Sequence, residues 1–141
     1  MADNFKETAK KMSKSAELTK DADHHHISCY LAGYVVESYL KIIVDSVSSI
    51  SQTPISFGHN LTNLNSGIQS ALSASAFGPA RLRPFIIDVS TQCPNIFRKW
   101  NPSHRYDVSC GWDSDLESGN FSREQLICLS VITNMEVSGI I

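Results

Sequence analysis

The chain has 141 residues, a formal net charge of −2 and an ordinary globular composition, with 42% hydrophobic and 18% charged residues. This length suits a single domain whose core is large enough to fold without metals or disulfides. The near-neutral charge argues against broad, nonspecific binding to nucleic acid. Because no apolar run of about 18 residues is evident and the N-terminus is polar, we expect neither a membrane span nor a secretory signal.

The first two helices are predicted over about 4–20 and 24–49. Apolar residues recur among lysines at helical spacing in the first, and Asp21 or Asp23 is expected to cap the second. The second helix is apolar around most of its circumference, which is typical of a central helix or of one that also forms a dimer interface. Gly33 lies in its middle at a cost of about 1 kcal/mol relative to Ala, which predicts close approach of a neighbouring helix.

The third and fourth helices are predicted over about 60–74 and from near Pro84 to Trp100. Asn60 or Thr62 lies near the start of the third helix. The fourth carries a continuous apolar line at helical spacing, and Pro94 lies inside that line. A proline in a helix interior removes a hydrogen bond and crowds the preceding turn, so we expect a helix kinked at Pro94.

The C-terminal part is predicted to hold a polar, mobile loop and one last helix. The loop covers 107–120, and the pattern of Ser122 followed by Gln125 predicts a capping box that starts a helix over about 122–137. That helix is expected to bury a stripe of apolar residues or their neighbours: Leu126, Leu129, Ile132 and Val137. The whole pattern predicts an all-α, up-and-down bundle of about five helices forming one domain over 1–141.

The cysteines and histidines indicate which disulfide, metal and cofactor sites to expect. The four cysteines are scattered without a C-x-x-C pair, which is typical of reduced thiols in a cytoplasmic protein. The triplet His24-His25-His26 has no Cys or carboxylate partners at metal-ligand spacing. We therefore expect no metal and no cofactor.

Charge is unevenly distributed in the C-terminal half. Residues 81–105 hold five basic residues and one acid, whereas residues 107–117 hold four acids and no base. One interpretation is a solvated helix face beside a solvated loop. The other is a basic groove for a phosphate backbone, or a surface matched to a charged partner.

Three short blocks follow one another in a fixed order. The first is a helical stretch over 28–41 that contains Glu37 and Lys41, four residues apart. The second is Gly58-His59-Asn60-Leu61, and the third is Arg105-Tyr106. Together, over roughly residues 15–110, these blocks resemble the HEPN domain family of small all-helical proteins, with Asn60 where the family usually has Asp. The resemblance implies a HEPN-like fold.

The resemblance also implies that the blocks contain binding residues, namely Glu37, Lys41, His59, Arg105 and Tyr106. On its own, a Glu–Lys pair at this spacing adds only a few tenths of a kcal/mol to an exposed helix. His59 either bonds backbone groups of its loop or contributes to a cleft with Arg105 and Tyr106. Those two residues either stack and hold the following loop, or present a guanidinium to a phosphate.

A catalytic pair is implied by the nuclease branches of the family, which carry an Arg followed a few residues later by a His. Arg98 and His104 match this order with five residues between them. In such a pair the His moves the proton of an attacking 2′-hydroxyl and the Arg stabilises the charged phosphorane, so RNA is cleaved without metal. The chain departs from the motif at Lys99-Trp100, where a polar residue is usual, and at Asn101-Pro102, which interrupts the helix.

Two functions of different classes follow. The first is a non-catalytic HEPN-type binding module for a partner protein, a nucleotide or RNA, in the toxin–antitoxin or phage-defence setting that the resemblance implies. The alternative is a metal-independent HEPN endoribonuclease that uses Arg98 and His104. We expect a homodimer, because the second and fourth helices carry more apolar surface than one small bundle needs. A nucleotidyltransferase or an antitoxin is a further possible partner.

Overall fold

The computed structural model describes residues 4–47, 57–73 and 80–141. Within these ranges the chain is helical and contains no strand, which confirms the all-α prediction. The α-helices are α1 (Phe5–Asp21), α2 (His25–Ser46), α3 (Leu61–Ser73), α4 (Val89–Gln92), α5 (Pro94–Lys99) and α6 (Asp115–Val137). Short 3₁₀ segments occupy Ala80–Phe85, Pro102–Tyr106 and Val108–Cys110.

Helix α2 is the centre of the fold. It packs against α1, α3 and α6, and every residue from Val35 to Val44 is buried. By length and composition α2 is apolar enough to cross a membrane, with a mean hydropathy of 1.4 over an 18-residue window. In the fold 78% of that window is buried against other parts of the protein. The apolar circumference read from the sequence therefore belongs to a helix that is covered on several sides.

Gly33 is where α2 meets its closest neighbour. A Cβ atom added there would overlap the Trp100 indole, whose Nε1–H donates to the Tyr30 carbonyl at 3.0 Å. The predicted close approach is thus present, but the neighbour is one aromatic side chain that lies on the helix backbone. Only glycine leaves room for it at this position.

The start of α2 differs from the prediction. Asp21 is the last residue of α1, and Asp23 lies in the following turn with a φ of 62°. The residue that precedes α2 is His24, which makes no side-chain capping bond. Asp is among the few residues that tolerate the left-handed conformation, so Asp23 shapes the turn instead of capping the helix.

The predicted fourth helix is a series of short pieces. After the 3₁₀ segment at 80–85 come α4 and α5, and they are separated at Cys93, whose φ of −128° and ψ of 56° are not helical. Pro94 is the first residue of α5. A proline at the first helical position loses no hydrogen bond, so Pro94 starts a helix where we expected it to kink one.

Helix α6 begins seven residues earlier than predicted. Ser114 caps it by accepting a hydrogen bond from the Glu117 backbone N–H at 3.1 Å, so residues 115–120 are helix and not loop. Ser122 is buried inside α6 and bonds the Glu17 carboxylate. The predicted stripe is also wrong in part, because Leu126 and Val137 are 43% and 81% exposed. The buried face instead carries Phe121, Gln125, Cys128, Ile132 and Met135.

The buried hydroxyl of Tyr39 joins two parts of the core. The Tyr39 hydroxyl donates to the Phe85 carbonyl at 2.7 Å and accepts from the Ile87 N–H at 2.9 Å, so it holds the chain leading into α4 against α2.

All four cysteines are free thiols and three of them are buried. Burial raises the pKa of the Cys29 thiol to about 12, which makes it unreactive.

Candidate functional site

A cleft of about 550 Å³ opens between the first turn of α3 and the chain that runs from α5 into the 102–106 segment. One wall comes from the start of α3 and the other from α5 and the residues after it. Its lining combines basic, amide, hydroxyl and aromatic groups: His59, Asn60, Leu61, Thr62, Phe97, Arg98, Trp100, Asn101, Pro102 and Ser103.

The α3 wall presents a helix N-terminus to the cleft. Asn60 Oδ1 accepts from the Asn63 N–H at 2.9 Å, which confirms Asn60 as a residue that starts this helix. Leu61 and Thr62, the first two residues of α3, line the cleft. Backbone N–H groups of a helix's first turn have no acceptor within the helix, and the helix dipole favours an anion beside them.

The α5 wall is held in place by a carboxylate from α6. Glu124 is 2% exposed and accepts from the backbone N–H groups of Asn95 at 3.2 Å and Ile96 at 2.9 Å, and also from the Asn95 side chain at 2.6 Å. These bonds satisfy the first turn of α5, a helix of only six residues that has no side-chain cap of its own. Glu124 therefore positions the helix that carries Arg98.

Asp88 joins α3 to α4, the short helix that precedes α5 in the chain. Its Oδ1 accepts from the Asn65 side chain of α3 at 2.9 Å, from the Ser90 backbone N–H at 3.0 Å and from the Ser90 hydroxyl at 2.6 Å. The hydrogen bonds from Ser90 and Asn65 lower the pKa of Asp88 below its ordinary value. One ionised carboxylate thus caps α4 and joins it to α3.

Arg98 is the exposed cation of this cleft. Its neighbour Lys99 binds the Glu117 carboxylate with both oxygens at 3.1 Å, so the basic and acidic stretches of the sequence pair in part with each other. Within the described residues no acid lies within ion-pair distance of the Arg98 guanidinium. Arg98 is exposed, whereas Trp100, two residues further along the chain, is buried.

Behind the cleft lies a buried carboxyl group on α2. Glu37 is 5% exposed; its Oε1 lies 2.6 Å from His59 Nδ1, and its Oε2 lies 3.9 Å from Lys41 Nζ. Burial raises the pKa of Glu37, and the hydrogen bond from His59 and the charge of Lys41 act in the opposite direction. Glu37 and Lys41 from the first sequence block therefore meet His59 from the second block in one cluster.

Tyr34 packs beside this cluster. Its ring meets His59 edge-on at a centroid distance of 5.8 Å and meets Trp100 at 5.0 Å. Burial and the hydrogen bond with Tyr30 raise the pKa of Tyr34, so its hydroxyl stays neutral.

A second cleft, of about 530 Å³, lies between α1 and α2 and is lined in part by Tyr34 and Glu37. Among the described residues, its lining contains the acids Glu7 and Glu37 and the base Lys11.

His104 lies in a different environment. Its ring packs against Trp112 at a centroid distance of 5.3 Å, and its Nδ1 is buried. The carbonyls of His104 and Arg105 both accept from His26 Nε2, at 2.8 and 2.9 Å, which fixes the 102–106 segment against α2. Arg98 is part of the cleft lining and His104 is not, so the structure does not bring the predicted catalytic pair to one cleft.

Arg105 and Tyr106 stack, as one of the two predicted alternatives requires. The Arg105 guanidinium carbon lies 5.3 Å from the centroid of Tyr30 and 5.2 Å from that of Tyr106. Tyr106 is 83% exposed. The pair covers the outside of the 102–106 segment and is absent from the cleft lining.

The histidines that open α2 serve as hydrogen-bonding groups. His25 Nδ1 lies 2.7 Å from the Ser118 hydroxyl, and His26 binds the two carbonyls of the 102–106 segment. In the ranges that the structure describes, no three His, Cys, Asp or Glu side chains come together as metal ligands would.

Comparisons were made with protein-family models, curated proteins and solved structures, and none of them matches this chain.

Proposed function

We propose that the protein is a HEPN-type binding module that holds a phosphate group of single-stranded RNA or of a nucleotide in the cleft between α3 and α5. The observation that carries the proposal is the pairing of two anion-binding features across this cleft. Arg98 lies on one wall without an acidic partner in the described residues, and the first turn of α3 forms the other wall beside His59.

The chemistry of the walls suits a phosphate. A guanidinium gives a planar pair of N–H donors that matches two phosphate oxygens, and helix N-terminal N–H groups supply neutral donors to the same anion. Phe97 and Pro102 add apolar surface at the cleft, on which a base can pack. Because Arg98 is the arginine that the described cleft lining provides and the net charge is −2, we expect modest affinity with few phosphate contacts.

Binding of a fluorescein-labelled 2′-O-methyl RNA octamer, followed by anisotropy in the presence of a chelator, tests this proposal. We expect Arg98→Gln to weaken binding about 10-fold and to reduce the slope of log K against log salt by about one. Arg123→Gln is the matched control, because Arg123 is exposed on α6 and bonds Asn120 there. The proposal is wrong if the wild type does not bind at high micromolar concentration or if the two variants bind equally.

The alternative function, metal-independent RNA cleavage, shares Arg98 with the binding site. Of this pair, however, only Arg98 lines the cleft, whereas the His104 ring packs against Trp112 and its carbonyl accepts from His26, so catalysis by both in the cleft requires the 102–106 segment to bring His104 there. The binding function requires no such rearrangement, and for that reason we favour it.

We also propose a HEPN-like up-and-down bundle that forms a cytoplasmic homodimer in a toxin–antitoxin or phage-defence setting, with a nucleotidyltransferase or antitoxin as a further partner. The resemblance of the three sequence blocks supports this setting. Light scattering at tens of micromolar protein tests the dimer. A mass of twice 15.6 kDa is expected, and a monomer mass would contradict it.

A further inference from the structure

Two buried thiols meet where the short helices α4 and α5 lie against α6. The Sγ atoms of Cys93 and Cys128 are 3.7 Å apart, and both residues are fully buried. The sulfurs of a disulfide lie about 2.05 Å apart, so an approach of about 1.6 Å separates this contact from a covalent bond. The two residues are 35 positions apart in the chain, so the fold and not the local sequence brings them together.

The backbone around Cys93 allows such an approach. Cys93 lies between α4 and α5, and its φ of −128° and ψ of 56° belong to neither helix. The helix before it has four residues and the helix after it has six. Helices this short have few backbone hydrogen bonds, so they shift and open at lower cost than a long helix such as α6.

Contacts with α6 keep Cys93 beside Cys128. The Cys93 thiol donates to the Glu124 carbonyl at 3.4 Å, one helical turn before Cys128. The Glu124 carboxylate accepts from the backbone N–H groups of Asn95 and Ile96, the second and third residues of α5. These bonds hold the start of α5 on the part of α6 that carries Cys128, so the two thiols meet whenever this segment is closed.

We propose that Cys93 and Cys128 form a modification site, a dithiol that a low-molecular-weight disulfide such as glutathione disulfide oxidises to an intramolecular disulfide. The oxidised form attaches α5, the helix that carries Arg98 into the cleft, covalently to α6. This inference goes beyond the proposed function and requires no ligand in the cleft.

The reaction consists of two thiol–disulfide exchanges. The Cys93 thiol loses its proton to solvent, and the thiolate forms a bond to one sulfur of glutathione disulfide while the other sulfur leaves as a glutathione thiolate. The Cys128 thiolate then attacks the Cys93 sulfur and displaces the second glutathione thiolate. Both protein thiols are oxidised, glutathione disulfide is reduced, and the two glutathione thiolates take up the two protons that the cysteines released.

Burial determines when this reaction takes place. The hydrogen bond with Cys93 and burial raise the pKa of the Cys128 thiol, so the closed fold protects it from attack. The first exchange therefore occurs when α4 and α5 open locally, and the second follows when the segment closes and returns Cys93 to Cys128. In a reducing compartment the dithiol persists, so the pair responds to a shift towards oxidising conditions.

Incubation of the reduced, native protein with glutathione disulfide, followed by alkylation in denaturant and mass spectrometry of the peptides, tests the inference. We expect two of the four cysteines to be alkylated and a linkage between Cys93 and Cys128 to exceed any other pairing about 10-fold. Cys128→Ser removes the second thiol, so we expect glutathione to stay attached to Cys93. Cys29→Ser is the matched control and is expected to form the same linkage, because Cys29 is also fully buried but bonds the Trp112 carbonyl.

A second measurement does not depend on the variants. A disulfide that spans 35 residues restricts the unfolded chain, so we expect oxidation to raise the melting temperature of the wild type by about 5 °C, reversibly with dithiothreitol. The inference is wrong if the native wild type keeps all four cysteines open to alkylation in excess glutathione disulfide. It is equally wrong if the linkage joins Cys29 to Cys110, or if the pairings are as mixed as those formed in concentrated urea. These outcomes leave the phosphate site untouched, because its own test is binding of the 2′-O-methyl octamer.

Discussion

His59 and His104 lie in very different surroundings. His59 has one ring nitrogen on a buried carboxylate and lines an open cleft together with Arg98. His104 lies with its ring on Trp112, its Nδ1 buried and its carbonyl bonded to His26. Spacing along the chain favours His104 as the partner of Arg98, whereas the structure places His59 in the cleft with it. Distance in sequence is therefore a poor guide to which groups share a site.

The region around His104 and the cleft that His59 lines are also stabilised by different kinds of contact. We term the region around His104 the aromatic anchor, because its contacts hold residues 100–112 against α2. Its members are His26, Tyr30, Gly33, Trp100, His104 and Trp112. The cleft region is instead held by carboxylates, those of Glu37, Asp88 and Glu124. We therefore expect substitutions in the anchor to lower the free energy of unfolding more than substitutions of the carboxylates that hold the cleft.

The largest effect is expected for Trp112→Ala in the aromatic anchor. Trp112 is fully buried and its ring meets His26, His104 and Phe121. Removing so large a buried side chain leaves a cavity, and we expect the free energy of unfolding to fall by about 4 kcal/mol in urea denaturation. Tyr106→Ala is the control, because that side chain is 83% exposed. Equal losses for both variants would contradict the role of the anchor.

A second prediction compares two helical glycines. Gly33→Ala places a Cβ against the Trp100 indole, so we expect a loss of about 2 kcal/mol despite the better helix propensity of Ala. Gly119→Ala in α6 meets no atom within 4 Å and is expected to gain about 0.5–1 kcal/mol. Thermal and urea unfolding of both variants measures the difference. A stabilising effect at Gly33 would show that Trp100 does not lie on this helix.

The smallest of the three effects concerns Asp88 on the cleft side. Hydrogen bonds lower its pKa from 3.8, so the ionised carboxylate stabilises the folded state at neutral pH. This contribution is fully present above the unfolded pKa and is lost as the pH falls through the folded one. We expect Asp88→Ala to be less stable than wild type by about 1 kcal/mol at pH 7, with the difference shrinking below about pH 4. A difference that is constant with pH would exclude this origin.

Much of the fold was predictable because the strongest signals are local. The bounds of α1 and α3, the central position of α2 and the start of α3 at Asn60 follow from periodicity and capping. The sequence does not reveal the start of α6, although Ser114 and Glu117 form a capping pattern as good as that of Ser122 and Gln125, because Gly119 lies near this start and glycine disfavours a helix. The break at Cys93 was missed because a proline suits both a kink and a first helical position.

The candidate site was predictable only in parts. Glu37, Lys41 and His59 were singled out, but their meeting depends on a contact across 22 residues of chain that no periodicity reveals. Glu124, which holds α5 from 28 and 29 residues away, gave no local signal at all. Sequence reasoning therefore found residue types that suit the chemistry and could not show which of them face one another.

The most direct test of the central claim is to locate the bound RNA by NMR. The ¹⁵N-labelled protein is titrated with the 2′-O-methyl octamer, which binds without being cleaved. We expect the largest amide shifts at Leu61, Thr62 and Arg98, and little change at His104 and Trp112. Shifts centred on 104–112 instead, with the cleft amides unmoved, would contradict it.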